Sequence, residues 1–211
     1  MDTCLAGLAA RGLSPRCVFD VGAADGQWTR LARSHWPAAS YVLFEPLAER
    51  ASELDRLSGE TPLIAWHNCG LGRARTRLDL SISSDLFISS FAYGGTSSRQ
   101  VAVESLDGLL PEGKIPQGDF LKIDVQGFEL EVLAGAEVFI QKVQVVIMET
   151  YYHRFAPQMS LVHEAVGLMH QKGFRVYEVL DQLRRPHDNA IGQCDICFVR
   201  EGHHLLNSNS W

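Results

Sequence analysis

The chain has no run of apolar residues near the roughly 20 needed to cross a bilayer, so no membrane role is expected. It has no surplus of basic charge: 19 lysines and arginines stand against 25 aspartates and glutamates, a formal net charge of −6. A protein that grips a nucleic-acid backbone normally shows the opposite imbalance, so no nucleic-acid partner is expected either. The start, MDTCLAGLAARGLSPR, lacks the basic residues and long apolar stretch of an export signal. Cysteine is sparse and odd in number, at positions 4, 17, 69, 194 and 197. That count and spacing argue against a disulfide framework and for a reducing cytoplasm. Cys194 and Cys197 do form a C-x-x-C. They lie in a strand-like segment, however, where residues three apart face opposite sides, and no second cysteine pair completes a zinc site. No metal centre is expected, although Asp124 and Glu149 could contribute to a magnesium site if a third ligand existed.

What remains is ordinary globular material, 211 residues of which 46% are hydrophobic, enough for one well-filled core. There are no repeats and no linker, so residues 1–211 read as one domain. Short apolar runs at 17–21, 40–45, 63–66, 120–124, 143–148, 174–179 and 195–199 read as strands. Helical spacing recurs at 27–34, 47–58, 129–134 and 159–172, after a helical lead-in over 1–16. Such alternation implies an α/β fold of Rossmann-like type: a mostly parallel seven-stranded sheet with helices on both faces. The connection DQLRRPHDNAIGQC between the last two runs holds no convincing helix, so the last strand is expected to be antiparallel. Residues 73–99, rich in serine and glycine, read as an insertion on the substrate side, and 201–211 as a tail.

The first strand ends in Asp20-Val21-Gly22-Ala23-Ala24-Asp25-Gly26-Gln27, a glycine-rich turn that opens a helix. Such a turn lets backbone approach a ligand and aims helix N–H groups at it. A dinucleotide fingerprint would need glycine at 22, 24 and 27, and the last two are alanine and glutamine. The pattern suits instead a cofactor with a cationic ammonium and no pyrophosphate, with Asp20 near the amine and Gly22 and Gly26 packed against the ligand. The second strand ends in Phe44-Glu45-Pro46, where an acid accepts hydrogen bonds from ribose hydroxyls. The segment Phe120-Leu121-Lys122-Ile123-Asp124-Val125-Gln126-Gly127-Phe128-Glu129 places Asp124 at the end of a central strand, facing the ligand crevice. Glu129 reads either as a site residue or as a helix-start acid. Glu149 closes the next strand on the same rim.

Taken together, DVGAADGQWT, FEP, LDGLL, FLKIDVQGFELEVLAGA, VIMET and CDICFVR resemble the FkbM-type methyltransferases over nearly the whole chain. The resemblance implies a class I methyltransferase fold, S-adenosylmethionine as cofactor, and O-methylation of a sugar, polyketide or similar small-molecule or glycan hydroxyl. By position it carries over Asp20 and Gly22 as cofactor-loop residues, Glu45 as the ribose ligand and Asp124 as the acid near the transferable methyl. Two departures stand out. Ala24 occupies a position where relatives usually have asparagine, which leaves Asp25 to supply the missing hydrogen bond. Trp66-His67-Asn68-Cys69 lacks the acid that often holds the adenine amino group, which leaves Asn68 or nearby backbone.

Methyl transfer from a sulfonium is an in-line displacement, helped mainly by near-attack geometry and, for a hydroxyl, by a general base. Asp124 and then Glu129 are the candidate catalytic residues. Glu149, Tyr151 and His153 are candidate acceptor contacts, His153 also reading as an ordinary loop histidine. An amine acceptor would need less base assistance. Two alternatives stand beside this reading: a nicotinamide-dependent oxidoreductase, and a non-catalytic module that keeps the cofactor pocket as a relic.

Overall fold

The computed structural model of the chain describes residues 1–84, 86, 88–92, 97–156 and 159–207. The amino-terminal half runs α1 (Asp2–Ala10), β1 (Cys17–Val21), α2 (Gln27–His35), β2 (Ser40–Phe44), α3 (Ala51–Gly59) and β3 (Ile64–His67). Then come β4 (Gly70–Leu71), β5 (Thr76–Ile82), β6 (Ser97–Glu104) and α4 (Leu106–Leu109). The carboxyl-terminal half is β7 (Phe120–Ile123), α5 (Glu129–Ala134), β8 (Val145–Tyr151), α6 (Val162–Gln171), β9 (Phe174–Arg184) and β10 (Ile191–Arg200).

Seven of these strands form one sheet in the order β3-β2-β1-β7-β8-β10-β9. β1, β2, β3, β7 and β8 pair in parallel, and β10 runs antiparallel between β8 and β9. All residues of β1, β7 and β8 are buried, as expected of strands covered on both faces. Successive side chains divide between two cores. Phe19, Leu121 and Val146 belong to one, Val18, Phe120 and Val145 to the other. Cys194 and Cys197 fall in different cores as well, so the C-x-x-C is two buried packing residues on opposite faces. The chain leaves β1 for β2 on one side and returns to β7 on the other. That reversal opens a crevice beyond the carboxyl ends of the strands.

Four sequence expectations shift in detail. The helix expected from 47 starts as a 3-10 turn at Ala48–Arg50 and becomes α-helical at Ala51. The one expected from 159 starts at Val162, because Leu161 is bridged to Tyr151 and its N–H is held by Glu164 Oε2 at 3.0 Å. The insertion contains β5 and the start of β6, which pair antiparallel and join β4 in a small sheet of order β4-β6-β5; positions 85, 87 and 93–96 of it lie outside the described residues. The supposed tail packs back on the body through Leu205, whose carbonyl accepts from Arg11 Nη2 at 2.8 Å. Its last four positions, 208–211, are outside the described residues.

Candidate active site

The turn after β1 depends on glycine at one position above all. Gly22 has φ +77, and a Cβ there would sit 1.9 Å from the Asp124 carbonyl oxygen, so the β1 and β7 ends close together only around a residue without a side chain. Ala24 also takes a left-handed conformation, φ 48. Its N–H donates to Glu45 Oε2 at 2.9 Å, while Leu47 N–H donates to Glu45 Oε1 at 2.9 Å. Glu45 is buried, and burial pushes its carboxyl up despite those two donors. Each oxygen keeps a further lone pair, and the residue borders the cleft.

That cleft encloses about 250 Å³ between the ends of β1, β2 and β7 and the β5–β6 hairpin. Gly22, Ala24 and Glu45 form one part of its wall, Leu47 and Leu71 an apolar part, and Leu80 and Phe91 the hairpin side. Asp124, Gln126 and Gln193 close the other end.

Asp20 does not reach this cleft. It is fully buried, its Oδ2 accepting from Thr29 Oγ1 at 2.7 Å and its Oδ1 lying 3.1 Å from Lys122 Nζ. The expectation that it sits near a ligand amine therefore gives way to one in which it holds a lysine. Lys122 also donates to the Gly22 carbonyl at 2.9 Å and approaches Asp124 Oδ2 at 3.5 Å. Burial alone would depress the ammonium, but Asp20 and Asp124 outweigh it and the net shift is upward. Lys122 is thus a permanent cation that braces the glycine turn and Asp124 together.

Glu129 is likewise turned away from the cleft. It is fully buried, with Oε1 accepting from Gly127 N–H at 2.9 Å and Val125 N–H at 3.2 Å, and Oε2 from Ser160 Oγ at 3.2 Å. Burial raises its carboxyl to about 7 against these donors. Such a group holds the β7–α5 turn together and does not line the cleft, which corrects its placement as a second catalytic acid.

Asp25 lies outside the cleft lining, just before α2, and accepts from Gln27 N–H at 3.2 Å. Gly26, at φ +79, packs against Leu57 and Leu54. Asn68 is exposed and donates to the Glu45 carbonyl at 2.9 Å, so it fixes the β2 end without lining the cleft. Glu149 is buried behind the rim, where Gln126 Nε2 reaches its Oε2 at 3.2 Å and Gln193 Nε2 its Oε1 at 2.7 Å. Tyr151, also buried, donates its hydroxyl to Glu149 Oε2. Burial, then the charges of Asp124 and Glu129, push the Glu149 carboxyl well up. His153 packs against Phe155, 6.0 Å between ring centroids, and is not part of the cleft wall; Pro157 and Gln158 nearby lie outside the described residues. Sequence reasoning passed over Gln126 and Gln193. The first stood within the most informative motif, and the second faces Tyr151 in register across β8 and β10.

Among the described residues no three histidine, cysteine, aspartate or glutamate side chains form a metal-binding group. No helix among them is long and apolar enough to cross a membrane.

A family model described as the methyltransferase FkbM domain matches residues 20–176. Methyltransferase sdnD of Sordaria araneosa is 28% identical over 200 residues, covering 75% of this chain and 73% of its own. Methyltransferase 1 of Beauveria bassiana is 27% identical over 150 residues, covering 57% and 58%. Among solved structures, methyltransferase FkbM from Methylobacillus flagellatus superposes with a TM-score of 0.55 at 17% identity, over 87% of this chain and 43% of that one. Magnesium protoporphyrin IX methyltransferase from Synechocystis, solved with bound S-adenosylmethionine, gives 0.56 at 13% identity over 94% and 77%. At such identities the structural likeness is one of fold.

Proposed function

Because this chain belongs to the FkbM methyltransferase family, we propose that its cleft binds S-adenosylmethionine and that the enzyme methylates a hydroxyl oxygen of a sugar, polyketide or similar small acceptor. When bound, the cofactor supplies an electrophilic methyl group on a cationic sulfonium. The observation that carries the reading is the charge of the cleft: Glu45 and Asp124 line it, and no lysine, arginine or histidine does among the described residues. An acidic cleft favours a cation and disfavours a pyrophosphate. That counts against the nicotinamide alternative, as do the absent glycines at 24 and 27.

Glu45 has the chemistry to hold two ribose hydroxyls, since each oxygen keeps a lone pair after its backbone bond. Leu47 and Leu71 offer the apolar walls a purine needs. The exposure of Asp124 at the rim, 37% for its side chain, supports a role in orienting an acceptor hydroxyl and taking its proton. Lys122 keeps that carboxylate in position from behind. The chain spans well under half of the Methylobacillus protein, and we take the described residues as one catalytic domain. All five cysteines are free and buried, which supports a reducing compartment such as the cytoplasm.

Calorimetric titration with S-adenosylhomocysteine, with NADH run in parallel, tests the assignment. The expected result is micromolar binding of the first alone, weakened at least tenfold by Glu45→Ala. Binding of NADH alone would sink it, and silence from both would favour a relic pocket.

A further inference from the structure

The acceptor end of the cleft has a hydrogen-bonding polarity of its own. Gln126 Nε2 donates to Asp124 Oδ1 at 3.0 Å and to Glu149 Oε2 at 3.2 Å. Both N–H groups of the amide are therefore committed to the two acids. An amide so bridged presents its carbonyl oxygen elsewhere, and no donor among the described residues reaches that oxygen. Gln193 is held by a single acid, its Nε2 donating to Glu149 Oε1 at 2.7 Å. Gln126 is the fixed acceptor.

The backbone at this residue gives a second, independent sign. Gln126 has φ 57 and Gly127 φ 97. A left-handed backbone favours glycine or asparagine over a glutamine. The conformation is held from the hairpin, where buried Ser90 donates its hydroxyl to the Gln126 carbonyl at 2.5 Å. Strain of this kind at a cleft rim persists where the surroundings over-determine it and the side chain has a task.

We propose that Gln126 reads the acceptor: its amide oxygen accepts a hydrogen bond from a hydroxyl or ammonium adjacent to the methylated atom. Resting on the methyl-transfer reading above, this fixes the acceptor class as neutral polyols and amino alcohols, with carboxylates and phosphate esters refused. Refusal follows from the same geometry. An anionic acceptor would meet the Asp124 carboxylate and an amide oxygen. The cation behind them, Lys122, is already committed to Asp20, Asp124 and the Gly22 carbonyl. Specificity here lies as much in the repelled ligand as in the bound one.

The test is ligand-observed NMR on the chain saturated with S-adenosylhomocysteine, using methyl glucoside, glucosamine and methyl glucuronoside as probes of one scaffold. The first two should bind, and the carboxylate probe at least tenfold more weakly. Gln126→Leu should weaken methyl glucoside and glucosamine about tenfold while S-adenosylhomocysteine affinity stays within about twofold. Gln126→Gly, which suits the left-handed backbone, should do the same without loss of fold. Gln126→Lys should reverse the preference toward the carboxylate. Equal binding of the carboxylate probe, no binding of methyl glucoside or glucosamine, or unchanged binding in Gln126→Gly would overturn the proposal. Failure of S-adenosylhomocysteine to bind the wild-type chain would instead overturn the donor assignment, and this proposal with it.

Discussion

Lys122 and Asp20 face each other in register on β7 and β1, both buried, with 3.1 Å between Nζ and Oδ1. Two charges taken out of water together gain little net stability, but removing one partner leaves the other uncompensated. Lys122→Met should therefore lower stability by roughly 3–5 kcal/mol, and Asp20→Asn in the same chain should restore much of that loss. Chemical denaturation of the two single variants and the double one reads this directly. A cost under about 1 kcal/mol for Lys122→Met would show that the pair is not a working ion pair. The same residues explain what the sequence could and could not tell. That Asp20 and Asp124 stand at strand ends was legible from the apolar runs before them. That Asp20 turns inward was not, because it depends on which residue of a distant segment lies opposite. The available signal was a lysine inside an otherwise apolar strand, which needs an acid nearby. Glu129 misled for a related reason: a helix-start acid and a ligand-facing acid have the same sequence, and only the three donors converging on it tell them apart.

Strand periodicity decided most elements correctly where burial is two-sided, since continuous apolar runs such as VQVVIM admit few readings. The β5–β6 hairpin escaped because its strands are half exposed. Leu80 and Ile82 on one and Val101 and Val103 on the other are buried, with half-buried Ser81 and Ala102 between them, a period-two signal diluted by the serines around it. This hairpin is tied to the active-site turn through Ser90, whose hydroxyl donates to the Gln126 carbonyl and accepts from Ala92 N–H at 2.8 Å. Loss of a buried hydroxyl that makes two bonds costs about 1–3 kcal/mol locally. Ser90→Ala should accordingly speed hydrogen exchange at residues 89–92 and 125–127 at least tenfold, with the amides of β1 and β7 unchanged. Unaltered exchange at 125–127 would mean that the hairpin rests on the turn without holding it.

At the scale of the whole molecule, the cleft and the strand ends around it concentrate carboxyl groups whose titration opposes the fold. Burial raises Glu45, Glu129 and Glu149, and it raises Asp195 from 3.8 to about 7, with the Asp124 charge adding to the effect. A carboxyl whose folded pKa lies above its unfolded value binds its proton more tightly when folded. Its contribution to stability is complete below the unfolded pKa and is lost as pH rises through the folded one. For Asp195 the window runs from about pH 4 to 7, so the protein should grow less stable across it. The surface acids paired with arginine, such as Asp188 held down to about 2 by Arg185, act in the opposite sense, but they are solvated and weigh little. Asp195 is the group to remove. It lies across from Glu149 in register, and no hydrogen bond reaches its carboxylate among the described residues. Asp195→Asn should leave stability at pH 4 nearly unchanged and raise it at pH 8 by on the order of 1–2 kcal/mol, after allowance for solvent at the rim. Denaturation midpoints at several pH values separate this from a packing effect. A gain that is the same at pH 4 and pH 8 would show that the charge of Asp195 is not what the folded state resists.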